Sequence, residues 1–287
     1  MPFISGLTQL RSLSIVGMAK NTGKTECLNY VLRRLWEEYP QVSLALTSIG
    51  IDGERRDQVT QTDKPEICLH PGTLFVTAEK FYRNKMVAAE VVGIDEQYTT
   101  SLGRAIYAKS KGTGKVLIAG PASTGGLKHI IRKMRDRNID LTIIDGALSR
   151  ISLAAPSVSE GMILATGAAY SVQPEELIRK THHLYRLIQL PEYPSRTIAE
   201  SLADAERGMF VIDPEGNVFE TGFISALSDR IWQDVKWLQR GDTLFVAGVV
   251  SDLLLEKLRV IDSHRMLVVR DFTRLFASPL AIDKYLS

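Results

Sequence analysis

The chain has 287 residues, of which 45% are hydrophobic and 24% charged, and its formal net charge is +2. These totals fit a globular protein long enough for one large α/β domain, or a domain with an appendage. So small a charge gives no argument for nucleic acid or an anionic membrane as the main partner, and no run of about eighteen apolar residues offers a membrane span.

The first twelve residues, MPFISGLTQLRS, have neither a basic start nor a long apolar run, so they do not read as a secretory signal. From Ser12 to Leu28 the chain reads SLSIVGMAKNTGKTECL. Leu13, Ile15 and Val16 form a buried strand, Gly17 to Thr25 matches G-x-x-x-x-G-K-[ST], and an amphipathic helix follows. Gly17 and Gly23 allow the tight bend that points successive N–H groups into one phosphate-sized nest. Lys24 brings charge to β and γ phosphates, the Thr25 hydroxyl suits Mg²⁺, and the helix adds its positive end. The expected nucleotide-binding set is Gly17, Lys20, Asn21, Thr22, Gly23, Lys24, Thr25 and Glu26. An ordinary glycine-rich turn between strand and helix is the bland alternative. Cys27, just beyond, reads as a small helix residue. With Cys68 it makes no metal or redox motif, which fits a reducing cytoplasm.

Leu28, Val31, Leu32, Leu35 and Trp36 then share one helical stripe, which Pro40 ends. Val42 to Ile49 reads as a second buried strand, and the polar stretch Gly50 to Glu66 as a long loop at its carboxyl end. Gly72 to Ala78 and Ala88 to Val92 read as short strands around a turn or short helix at Lys80 to Lys85. Thr100 to Lys109 has a helical pattern. Lys115 to Ala119 reads as a buried strand that empties into the glycine-rich turn Gly120 to Gly126. A helix with Leu127, Ile130, Ile131 and Met134 inward comes next. Leu141 to Ile144 and Gly161 to Thr166 are further strands. This alternation predicts a mostly parallel sheet with helices on both faces.

Beyond that, Phe210 to Ile212 and Val218 to Glu220 predict a β-hairpin around Asp213 to Asn217. Ile224 to Leu238 and Leu253 to Leu258 read as helices, and Thr243 to Val250 and Met266 to Val269 as strands. The expected division is a P-loop core over residues 1–190 and a C-terminal α/β extension over 191–287, which also fits one continuous domain.

Four positions carry the chemistry. Asp145 ends the apolar strand LTIID, where an acid beside the P-loop holds Mg²⁺ through water. Alone, such an acid is equally a turn former. Asp52, after the second strand, is a candidate to reach Mg²⁺ or orient the attacking water; a turn flanked by glycine is the alternative, and Glu54 and Asp57 could serve instead. Lys24, Asp52 and Asp145 form the expected catalytic set, with Thr25 and Asp145 on the metal. Lys20 lies four residues before Lys24, whereas the branch with a second signature lysine places it five before; Ala19 holds that position. No N/T-K-x-D motif follows a late strand, which favours ATP over GTP. Ser123–Gly126 and Ala147–Ser152, with Arg150, could line a second pocket near the γ phosphate or be polar turns. His182 and His183 read as helix-surface residues, His70, His129 and His264 have no evident partner, and Arg132 to Arg137 reads as a solvated helix face.

Taken together, SIVGMAKNTGKTECLN, LTSIGIDGE, PGTLFVTAEK and the run DGA-x-x-R-x-S-x-A-x-P from Asp145 to Pro156 resemble a known family. It is the small subunit of the reactivating factor of adenosylcobalamin-dependent lysine 5,6-aminomutase and ornithine 4,5-aminomutase. The resemblance spans about Ser12 to Ser171. It implies an ATPase that works with a larger reactivase subunit to free an aminomutase of damaged cobalamin. It also implies ATP and Mg²⁺ at Gly17, Gly23, Lys24, Thr25 and Asp145. Two other readings stay open: an ATP-dependent ligase or kinase of the dethiobiotin-synthetase kind acting on a small carboxylate, and a nucleotide-sensing assembly module without turnover. Association into a homo-oligomer also stays open.

Overall fold

The computed structural model describes residues 3–49, 51–52, 66–100, 102–121, 123–147, 158–227, 237–239, 241–262 and 265–287, with backbone only at 51, 52 and 147. The chain divides into two compact units, Met1–Leu177 and Ile178–Ser287. The division falls within a helix, upstream of the boundary expected at residue 190.

In the first unit the elements run α1 (Phe3–Leu7), β1 (Ser12–Gly17), α2 (Lys24–Glu38), β2 (Leu44–Ser48), β3 (Ile51–Asp52), β4 (Ile67–Leu69) and β5 (Leu74–Ala78). They continue with α3 (Glu79–Arg83), β6 (Ala89–Thr100), β7 (Gly103–Ser110), β8 (Gly114–Val116), β9 (Ile118–Ala119) and α4 (Thr124–Arg135). Then come β10 (Leu141–Ala147), β11 (Gly161–Ala165) and α5 (Pro174–Ile188), which crosses into the second unit. Seven strands form the central sheet, in the order β11-β1-β10-β2-β5-β7-β6. The five from β11 to β5 are parallel, and β7 and β6 close one side antiparallel.

Period-two alternation sorts the side chains of the central strands onto two faces. Leu13, Ile15, Leu46 and Ile143 pack against Leu28, Val31, Leu32 and Leu35 of α2. Burial of each such side chain is worth about 1.5–3 kcal/mol. On the other face Ala45, Leu74, Val76 and Ile144 meet Leu127, Ile130, Ile131 and Met134 of α4. That helix starts cleanly because the Ser123 hydroxyl accepts from Gly126 N at 3.1 Å. The sheet is therefore mostly parallel and flanked by helices.

Three expectations fail here. Thr100 to Lys109 is not helical: β6 and β7 form a long antiparallel pair, and the expected short strand at Ala88 to Val92 is only the start of β6. Ala105 to Ala108 are all buried, Ile106 and Ala108 towards the α2 face and Ala105 and Tyr107 towards the α4 face. A strand covered on both faces loses its alternation and imitates a helix. Lys115 to Ala119 does not join the central sheet; β8 pairs with β4 and β9 with β3, each antiparallel. Trp36 is not in the core stripe. It is 41% exposed and stacks on His70, with ring centroids 4.8 Å apart.

The second unit holds the rest of α5, then α6 (Arg196–Leu202), β12 (Met209–Ile212), β13 (Val218–Glu220), β14 (Thr243–Val246) and β15 (Val250–Ser251). These are followed by α7 (Asp252–Ile261), β16 (Leu267–Val269), β17 (Leu275–Phe276) and α8 (Pro279–Leu286). Its sheet runs β13-β12-β14-β16, with only β14 and β16 parallel. Asp213 holds the turn between β12 and β13, accepting from Asn217 N at 2.8 Å, and Gly216 supplies φ +89°. Met209, Leu244, Val246, Leu254, Leu255 and Leu258 centre the core. Ile224 to Leu227 are not helical, and residues 228–236 of that expected helix lie outside the described residues. Among the described residues, no helix is long and apolar enough to cross a membrane.

Candidate functional site

The loop after β1 owes its shape to two positions with positive φ and to one glycine that cannot be enlarged. Asn21 and Gly23 have φ of +61° and +85°, a region that asparagine and glycine tolerate best. A Cβ at Gly17 would stand 2.8 Å from Thr22 Oγ1 and 3.3 Å from Ala19 O. The Thr22 hydroxyl donates to Ala19 O at 3.0 Å and closes the bend from inside. Met18 N donates to Ala165 O at 2.9 Å, tying the start of the loop to the end of β11. None of the N–H groups of Asn21, Thr22 and Gly23 donates to a backbone carbonyl among the described residues. Successive amides of this kind, alternating right- and left-handed, form an anion nest. Below it, Gly23 is the N-cap of α2, and Cys27 N donates to Gly23 O at 2.9 Å to form the first turn.

Lys24 opens α2, and its Nζ lies 2.7 Å from Asp145 Oδ1. The lysine side chain is 13% exposed and the carboxylate 2%. Asp145 reaches this place through register: on β10 it stands opposite Ile15 of β1 on one side and Ser48 of β2 on the other. Residues 13, 15, 46 and 143 face α2, so period two directs Asp145 and Ser48 to that face as well. The expected lysine and the expected acid thus meet on the floor of the loop.

The other expected residues are placed as follows. Thr22 is buried, Thr25 is half-buried at the second position of α2, and Lys20, Asn21 and Glu26 are exposed. Asp52 has its backbone in β3, paired antiparallel with Ile118 of β9 outside the central sheet; its side chain lies outside the described residues. Glu54, Asp57, His264, Ser149–Ser152 and Arg150 lie outside them too. Ser123, of the expected second pocket, caps α4.

The donor set can be tested against Mg²⁺ and a nucleotide. Thr25 and Asp145 offer a hydroxyl and a carboxylate, the hard oxygens that Mg²⁺ prefers. Among the described residues, no group of three or more His, Cys, Asp or Glu could hold a metal alone. A hydroxyl and one carboxylate are the kind of donors that suit Mg²⁺ shared with water and phosphate oxygens.

The sequence reading missed a second polar centre. Asp95, on β6 and 6% exposed, accepts from Tyr107 Oη at 2.7 Å, Gln97 N at 3.0 Å and Tyr98 N at 2.8 Å. His129 Nε2 of α4 lies 3.1 Å from the same carboxylate. Burial works to raise the Asp95 pKa, but the hydrogen bonds from Tyr107, Tyr98 and Gln97 and the nearby His129 outweigh it and hold the pKa below the usual carboxylate value. Burial first, then the bond to Asp95, pushes the Tyr107 hydroxyl well above the usual tyrosine range. The Tyr98 ring lies over His129 at 4.7 Å, and Arg137 covers the Tyr107 ring at 4.6 Å. These residues are up to 42 positions apart, so only the tertiary fold joins them (Asp95 to Arg137).

No protein-family model, curated protein or solved structure matches the chain.

Proposed function

We propose that the chain is a Mg²⁺-dependent, ATP-binding P-loop ATPase. The observation that carries this reading is the Lys24–Asp145 ion pair at 2.7 Å on the floor of a loop in which, among the described residues, Asn21, Thr22 and Gly23 N donate to no backbone carbonyl. In this reading the amides of Asn21 to Thr25 bind the β phosphate, and the positive end of α2 adds to them. Lys24 shares its charge between Asp145 and the β–γ bridge, where negative charge grows during transfer. Thr25 and Asp145 would hold the Mg²⁺ ion, which would supply charge neutralisation at the phosphates. Asp52 is the proposed orienter of the attacking water. ATP rather than GTP is favoured because the sequence lacks a guanine-reading N/T-K-x-D motif.

For the use of the energy, we propose reactivation of a cobalamin-dependent aminomutase together with a larger partner subunit. The support is the resemblance of the run Asp145–Pro156. One experiment tests both levels. Lys24→Ala should abolish binding of a fluorescent ATP analogue, and normal binding by that variant would sink the nucleotide reading. ATP hydrolysis by the wild-type chain should then rise on addition of an aminomutase and its reactivase partner, and not with a panel of small carboxylates. Stimulation by a small carboxylate instead would replace reactivation with ligase or kinase chemistry.

A further inference from the structure

Ser48 is a buried hydroxyl, 1% exposed, at the last position of β2. It stands in register with Asp145 on the adjacent parallel strand, and both side chains are directed to the α2 face, where Lys24 also reaches Asp145. Neighbouring strands lie about 4.8 Å apart, so one hydrogen-bonded group or one water spans the gap between two such side chains. Among the described residues, the only hydrogen bond of the Ser48 hydroxyl is to Ile49 O at 3.5 Å. Hydroxyl bonds to carbonyls are normally about 2.7–2.8 Å, so this contact barely counts as one. Burial of a hydroxyl without a good partner is costly, and a chain that needed only volume here would be served by alanine.

The backbone of Ser48 is also pinned. A Cβ on Gly120 would stand 1.6 Å from Ser48 O and 3.2 Å from Thr47 Oγ1, so the segment leaving β9 presses directly on the end of β2. The hydroxyl therefore has a fixed base on which to turn, and register and parity direct Ser48 of β2 to the same face as Asp145 of β10, which Lys24 of α2 contacts.

We propose that Ser48 is a positioning residue for the nucleotide–metal site, orienting the Asp145 carboxylate, directly or through one metal-bound water. The proposal rests on the nucleotide reading above and adds a residue to it. Its role is that of an outer-shell group whose hydrogen bond sets the orientation of a metal-side carboxylate. Loss of such groups typically lowers metal affinity about 10–100-fold.

The test uses the full chain with AMPPNP, a non-hydrolysable ATP analogue, and Mn²⁺ as a paramagnetic stand-in for Mg²⁺, titrated by EPR. Ser48→Ala should weaken Mn²⁺ binding in the AMPPNP complex about tenfold. It should leave metal-free AMPPNP affinity as in the wild type and should not lower the stability of the first unit, read by amide exchange of β1 and β10. Ser48→Cys, of similar size but a weaker donor, should fall between the two. Mn²⁺ affinity within twofold of wild type for Ser48→Ala overturns the proposal. So does an equal loss of metal-free AMPPNP affinity, which would mean that Ser48 only shapes the loop. A wild-type chain that fails to bind AMPPNP overturns the nucleotide reading and this proposal with it.

Discussion

The Lys24–Asp145 pair should be asymmetric when cut, because its two members are buried to different depths. At an N–O separation of 2.7 Å, the direct attraction is about 6 kcal/mol at an effective dielectric constant of about 20, before the cost of removing both charges from water. Removal of one member of a buried pair typically costs about 3–5 kcal/mol, mostly because the other charge stays buried. Lys24→Met leaves a carboxylate that is 2% exposed, so it should cost about 3 kcal/mol. Asp145→Asn leaves an ammonium on a flexible stem that is 13% exposed and can turn further towards water, so about 1–2 kcal/mol is expected. The double variant should cost less than the sum, with a coupling of about 1.5–3 kcal/mol. The chain has two compact units, so a single global transition is the wrong observable. Urea-dependent amide exchange of peptides from β1 and β10 reads the first unit locally. Additivity within about 0.5 kcal/mol would refute the pairing, and a larger loss for Asp145→Asn than for Lys24→Met would refute the argument from burial.

Gly120→Ala should destabilise the first unit by more than about 3 kcal/mol or prevent its folding, since the new methyl meets the Ser48 carbonyl oxygen at 1.6 Å, a backbone atom with nowhere to go. Gly125→Ala, with open space around the Cβ, is the matched control in the same local amide-exchange measurement on the first unit; equal behaviour of the two would count against the close approach. The Asp95 cluster predicts an acid limb of stability. Its folded pKa lies below the value of about 3.9 expected when unfolded, so between the two the unfolded chain binds more protons and stability rises with pH. The contribution is complete above about pH 4 and is lost as pH falls through the folded value. Asp95→Asn should flatten this limb, measured as the urea midpoint of β6 and β7 amide exchange between about pH 2.5 and 5. Part of the slope should persist, because Ser43 N and the Ser43 hydroxyl also hold Asp140 below its usual pKa. An unchanged slope would remove Asp95 from the account.

The elements that read correctly from sequence are those whose reason is local. The loop from Gly17 to Thr25 is a steric statement about a few consecutive residues, and the φ values at Asn21 and Gly23 are its structural counterpart. The α2 stripe read well as far as Leu35, because a helix on a sheet must repeat its apolar side chains every three or four positions. It failed at Trp36, which lies where the stripe meets solvent and finds His70 instead of the core. Strand β7 was illegible for the opposite reason: with both faces covered there is no polar side to alternate, and four consecutive buried residues carry no period. Lys115 to Ala119 read as one buried strand; it divides into β8 and β9, with Val116, Ile118 and Ala119 buried and Lys115 exposed. Their partners are β4 and β3, and the choice of partner is a contact between distant residues that no periodicity encodes.

The candidate site divides along the same line. Lys24 and Asp145 each carried a local signal, one from glycine spacing and the other from an acid at the end of an apolar strand. Their meeting depends on β10 lying directly beside β1, with Ile15 opposite Asp145, which is a fact of strand order. Ser48 carried no signal, because a serine that ends a strand is ordinary. Only the register with Asp145 and the pressure of Gly120 give that hydroxyl a direction. Asp52 shows the converse. Its sequence position invites a role at the strand end, but β2 stops at Ser48, and the backbone of Asp52 has already turned aside to pair with β9. The last position of β2, in register with Asp145, therefore belongs to Ser48, and the proposed role of Asp52 on the attacking water would be exercised from β3.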